Sequence, residues 1–272
     1  MIVCGHNGWR TTGERSIIRK WTKAAIGADW DRTSLDTKHG MRCDFGAVVA
    51  DSEKTRICAS LERQKTSHDF LAARIGHITV RTMADLLRHT GEEADYEPMK
   101  SQRPTRICMH AAAYEHRFLR STGALISDTR GDDVMAWVTA TSGTDVSIFK
   151  PVCFGIDVPD LGPTPQESFT PGAYWWRHEL LHRRAMSDYL LWAKEIRSDF
   201  ESLEDRFFAL SETARKGTSK EKTAFVTECW RQADAAEAKW ISKLEAHHYF
   251  IENRDYRKMW DDYNRAAGLH LG

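Results

Sequence analysis

Two apolar stripes in the last third of the chain set what it can fold into. Met186, Leu190, Ala193, Ile196, Phe200, Leu203, Phe207 and Leu210 recur at steps of three or four. That spacing lines one face of a helix for about six turns at ~3.6 residues per turn. Gly217 suits the position that ends such a helix. Thr218 and Glu221 have the spacing of a capping box for the next one. Val226, Cys229, Ala233, Ala236, Trp240 and Leu244 form the second stripe. A connection this short predicts an antiparallel helical hairpin that buries its own stripes. The Pro/Gly-rich stretch Val158–Pro165 precedes it and marks a boundary. The expected division is an α+β part over residues 1–165 and a helical region over 166–272.

Upstream of the boundary the pattern shortens. Residues 106–110, 123–127, 133–139 and 147–154 are runs of β-type composition, some separated by polar turns such as Arg130-Gly131-Asp132. Their spacing predicts antiparallel neighbours, because parallel strands need long crossovers. Helices are expected over 67–75, ended by Gly76, and after Thr79, with Met83, Leu86 and Leu87 on one face and Gly91 beyond its end. A short strand is expected over 46–50 and a short helix over 16–26; residues 1–40 otherwise show no clear period.

Lys and Arg total 39, as do Asp and Glu, so the formal net charge is zero. Such a chain has no overall field to attract a phosphate backbone or anionic lipid, and nucleic acid is not an expected partner. No run approaches the ~20 apolar residues of a membrane helix. The opening residues show no basic segment leading into an apolar one. A cytoplasmic location is expected, where the six cysteines stay reduced. None of them forms a C-x-x-C pair.

Three groupings are candidates for chemistry. His178-Glu179-Leu180-Leu181-His182 matches H-E-x-x-H, which on a helix places both imidazoles on one face for zinc, with Glu179 as general base. Glu201 or Glu204 is the candidate third ligand. The competing structural reading makes Arg177, His178, Glu179, His182 and Arg183 the polar face of an amphipathic helix. Cys108 and His110 share a face if their run is a strand. They are then either a Cys–His dyad or a buried, hydrogen-bonded histidine beside a core cysteine. Cys4 would become a nucleophile if processing exposed it as a first residue.

Four stretches, in order, carry a family resemblance: Ile107-Cys108-Met109-His110-Ala111, Ser121–Ile126, Trp137–Ser142 running on to Ser147–Val152, and Tyr174–Arg183. Together they resemble the C-terminal half of the secernin / peptidase C69 family, with weaker likeness back to Ile26. The resemblance implies part of an N-terminal-nucleophile hydrolase with an αββα sandwich of antiparallel sheets. It implies cysteine-dependent amide cleavage, as in dipeptidases, by a Cys at the start of the mature chain. The opening Cys-Asp-Thr strand of that pattern is not found here. Arg19 stands where an oxyanion-holding Asn is expected, and Arg117 is the candidate counterpart of a family arginine. The resemblance also implies that H-E-x-x-H, which falls inside this family segment, is not a metal site.

The expectation is therefore a C69-like cysteine amidase or dipeptidase present as a fragment, a split-enzyme chain or a degenerate copy without its nucleophile segment. The alternatives are a non-catalytic binding or scaffold protein on the same fold, and a zinc peptidase using His178, Glu179 and His182. No cofactor is called for. The expected partners are a peptide or small amide substrate if the chain is active, and an upstream-encoded complementary segment or a second copy of the chain.

Overall fold

A computed structural model describes residues 52–91, 96–101, 106–113, 119–130 and 133–271. The expected helix over 16–26 and strand over 46–50, together with Cys4, Arg19 and Arg117, lie outside the described residues. Helices α1 (Ser52–Ile57), α2 (Ser60–Ala72) and α3 (Val80–Arg88) lead into strands β1 (Leu125–Arg130), β2 (Asp133–Val138) and β3 (Lys150–Cys153). Helices α4 (Tyr174–Ala185), α5 (Tyr189–Ala214), α6 (Ser219–Glu245) and α7 (Arg254–Ala266) follow. The protein is α+β, with a small antiparallel sheet in the order β1-β2-β3. Among the described residues no helix is long and apolar enough to cross a membrane.

The hairpin forms as its stripes predict. Ile196, Phe200, Leu203 and Phe207 of α5 are buried, as are Val226, Cys229, Ala233, Trp240 and Leu244 of α6. Thr218 and Glu221 make the reciprocal capping box. Lys243 reaches Glu195 at 2.7 Å and the Trp240 indole donates to Asp199 at 3.0 Å, which fixes the antiparallel register. The first stripe is broken near its start. Met186–Asp188 is a 3₁₀ turn, and the Asp188 side chain caps α5. Leu190 and Leu210 stay exposed because the buried face of α5 runs instead through Trp192 at one end and Ser211 at the other.

The hairpin does not bury its stripes alone. α6 runs along the free side of β3, where the Trp230 indole donates to the Pro151 carbonyl at 2.9 Å. Trp137 of β2 meets the Phe208 ring of α5 edge-on, centroids 4.6 Å apart. One continuous apolar cluster joins Ile126, Met135 and Trp137 of the sheet to α5 and α6, so the boundary near residue 165 changes secondary structure within a shared core. The pairings Ile126↔Trp137 and Met135↔Cys153 define the buried sheet face. The opposite face carries Leu125, Val134, Ala136, Val138 and Val152, all partly or well exposed.

Three strands form where four β-type runs stand in the sequence. Residues 106–110 are bent and irregular instead, because their backbone groups find helices rather than a neighbouring strand. The Arg63 side chain of α2 donates to the Arg106 and Ile107 carbonyls at 3.0 and 3.4 Å. The amides of Ile107 and Cys108 both donate to the His89 carbonyl just past α3. α2 begins at Ser60, earlier than the expected start, and α3 starts behind Thr79, which caps it reciprocally with Thr82.

Candidate functional site

The polar residues singled out in the sequence converge on one buried region between α4 and the loop that joins β2 to β3. α4 begins after the Pro/Gly-rich stretch, and the Tyr174 amide donates to the Leu161 carbonyl at 2.9 Å. His178, Glu179 and His182 point inward and are fully buried, with Arg183 nearly so. A solvated polar face is therefore not what α4 presents. The side chains are buried because the loop over 139–147 fills the space opposite them with hydroxyls and carbonyls: Thr139, Thr141, Ser142, Thr144, Asp145 and Ser147 are all buried. Gly143, at φ 62°, lets the backbone lie against His182. A β-carbon there would sit 2.6 Å from the imidazole Cδ2.

The two histidines of H-E-x-x-H serve separate networks. His178 Nε2 lies 2.8 Å from the Ser142 carbonyl and 3.1 Å from Ser147 Oγ, and Nδ1 lies 3.2 Å from Glu237 of α6. A ring nitrogen that close to a carbonyl carries the proton and has no lone pair for a metal. The Glu179 carboxylate is bound by Arg120, Ser142 and Arg183, the last at 2.8 Å. Burial alone would raise its pKa. The charges of Arg120 and Arg183 and the Ser142 hydrogen bond outweigh burial and hold it at about 2. That carboxylate is a fixed anion, already saturated with donors. Glu201 and Glu204, the candidate third ligands, are committed elsewhere: Glu204 pairs with Arg88 of α3, and the Glu201 carboxylate accepts from Arg197 of its own helix at 2.8 Å.

Cys108 and His110 do come together, with Asp145 as an unforeseen third member. The Cys108 thiol donates to Asp145 Oδ1 at 3.2 Å, His110 Nε2 donates to Asp145 Oδ2 at 3.0 Å, and Sγ and Nε2 are 3.9 Å apart. The Tyr189 hydroxyl also donates to Asp145. On the other side of its ring, His110 Nδ1 lies 3.2 Å from His182 Nε2. Burial works against the charged form of His110, but the Asp145 carboxylate overrides it and raises the pKa to about 10. Burial lowers His182 to about 3, so its ring is neutral and accepts from His110. Burial and the adjoining Asp145 carboxylate push the Cys108 thiol up, away from the thiolate that nucleophilic attack requires.

Asp145, Arg120, Ser142, Tyr189 and Glu237 were not visible as site residues in the sequence. Asp145 and Ser142 sit in an irregular loop with no period, and nothing in the chain's order announces that Glu237 would meet His178 across 59 positions. Among the described cysteines, Cys108, Cys153 and Cys229 are buried and Cys58 is half-buried.

No family model matches the chain, and neither a curated protein nor a solved structure does.

Proposed function

We propose that this chain is part of a C69-like cysteine amidase in which the described residues are the supporting framework and any nucleophile lies outside them. One observation carries the reading: Cys108, the cysteine placed beside a histidine and a carboxylate, is wholly buried and held as a thiol by Asp145. An amide carbonyl cannot approach it, and its proton is committed to an acceptor that has no role for it to play in attack. The sheet supports the same reading. An αββα sandwich places two sheets face to face; among the described residues there is one sheet, with one face buried while Leu125 and Val134 on the other are about 40% exposed. The occupant suggested for that face is a complementary segment that brings the nucleophile.

The test is hydrolysis of short peptides by the full chain, alone and joined to an N-terminal segment that begins with Cys. Turnover that survives Cys108→Ala and is abolished by replacing the terminal Cys is the expected result. Turnover lost with Cys108→Ala, accompanied by alkylation of that thiol in the native protein, refutes it. No turnover in either form removes the amidase and leaves the second reading, a binding protein on the same framework. The exposed apolar sheet face favours that second reading, and light scattering would then show self-association.

A further inference from the structure

We infer that Cys108, His110 and Asp145 form a structural zinc site, separate from H-E-x-x-H and independent of any hydrolytic role. The donor set is one thiol, one imidazole and one carboxylate, the borderline mixture that suits zinc among the common divalent ions. Among the described residues this is the group whose ligand atoms converge, all lying within 4.8 Å of one another. Zinc bonds of about 2.3 Å to sulfur and about 2.0–2.2 Å to nitrogen and oxygen, at tetrahedral angles, put ligand atoms roughly 3.4–3.6 Å apart. Here Cys108 Sγ and His110 Nε2 are 3.9 Å apart, and the Asp145 carboxylate spans them, Oδ1 at 3.2 Å from the sulfur and Oδ2 at 3.0 Å from the nitrogen. A turn of that carboxylate brings one oxygen, or both, to an ion held between the other two.

A second observation concerns what stands behind the histidine. A metal-bound imidazole nearly always donates its other N–H to a partner that fixes ring and tautomer. His110 presents Nε2 to Cys108 and Asp145 and directs Nδ1 at His182, 3.2 Å away. His182 is itself fully buried against Gly143, so the partner that receives Nδ1 is fixed in place, an outer support of the kind metal sites use.

The charge balance also allows it. Zinc with a thiolate, a neutral imidazole and a carboxylate sums to zero, so the buried site would carry no net charge. The thiol proton, and any proton on Nε2, leave to solvent as Zn²⁺ binds, with no redox change. The Tyr189 hydroxyl donates to Asp145 and steadies its carboxylate. With all three ligands buried, the ion would be acquired as the chain folds, and its binding energy would add to folding.

The full chain, expressed without a histidine tag in zinc-supplemented medium, should carry about one zinc by elemental analysis. Cys108→Ser and Asp145→Asn should carry none, and His178→Ala should keep it. Unfolding and refolding in Co²⁺ should give a thiolate-to-cobalt charge-transfer band that Cys108→Ser lacks. If Cys108→Ser does not fold, the band must instead survive serine replacement of each of the other cysteines in turn. No zinc in the purified protein together with no such band after refolding overturns the site and leaves a hydrogen-bonded cluster. So does metal that is retained by Cys108→Ser or lost only with His178→Ala.

Discussion

Replacing Arg88 by Met should cost more stability than any other single change on α3. Arg88, the last residue of the helix, is 1% exposed and Glu204 of α5 is fully buried. The guanidinium makes two bonds to the carboxylate, one of them Nη1 to Oε2 at 2.7 Å. It also donates to the Thr144 carbonyl at 3.1 Å and the Ser147 carbonyl at 2.8 Å. Glu204 also accepts the Phe149 amide at 2.7 Å, and Arg81 approaches it at 3.3 Å. Removing one member of a buried pair typically costs about 3–5 kcal/mol, because the other charge stays behind. Two carbonyls lose their donors as well, at about 1–3 kcal/mol each where water cannot replace them. Arg81 still faces Glu204 and returns part of this, so the expected loss is about 4 kcal/mol. The Arg88→Met/Glu204→Met double variant should be destabilised by less than the sum of the single changes, with a coupling above about 1 kcal/mol. Urea unfolding with unchanged m-values measures all three. An Arg88→Met loss below about 1 kcal/mol, or additivity, would show that water reaches the pair and that α3 is not locked to α5 through it.

Three further outcomes follow from buried groups. Burial lowers Lys150 from 10.5 to about 8, so between those values the unfolded chain holds a proton that the folded chain has released. Stability from this residue should therefore rise by about 3 kcal/mol as pH goes from about 8 to 10.5, and Lys150→Met should flatten that rise in urea unfolding. Glu179 has the same sign in an acid window: its stabilisation is complete above its ordinary value near 4.5 and is lost as pH falls toward about 2. About 3 kcal/mol of acid sensitivity should be missing in Glu179→Gln, measured between pH 5 and pH 2. Gly143→Ala should lower stability by about 2–3 kcal/mol, since it strains a left-handed backbone and drives a methyl into His182; a neutral result by thermal unfolding would show that α4 shifts freely.

The two long helices were legible because period and caps agreed: the stripe through Ile196, Phe200 and Phe207 and the Thr218–Glu221 box each pointed to the same elements. Thr79 before α3 was legible for the same reason. The run Arg106–His110 misled because its composition is that of a strand, whereas strand formation depends on a partner, and here Arg63 and the His89 carbonyl take its backbone groups. On α4, charge suggested solvent. His178 and Glu179 are buried because Glu237, Arg120 and Ser142 meet them from distant positions, and no local pattern encodes such a meeting. Cys108 and His110 were rightly seen as neighbours for the wrong local reason, and Asp145, which decides their protonation, left no periodic trace.

The loop over 142–147 has a kinetic consequence. It holds its shape through Arg88 of α3, His178 and Glu179 of α4, and Tyr189 of α5, with sequence separations from 31 to 59 residues. Its internal bonds, from the Ser147 hydroxyl to the Ser142 and Gly143 carbonyls at 2.8 Å, close only a tight turn, and the contacts that fix it against the helices gain nothing until those helices have docked, since each must first overcome the entropy of closing a long chain loop. The loop should therefore order after the transition state: substitutions such as Ser147→Ala would speed unfolding and leave the refolding rate almost unchanged, whereas trimming Phe200 or Ala233 within the hairpin would slow refolding.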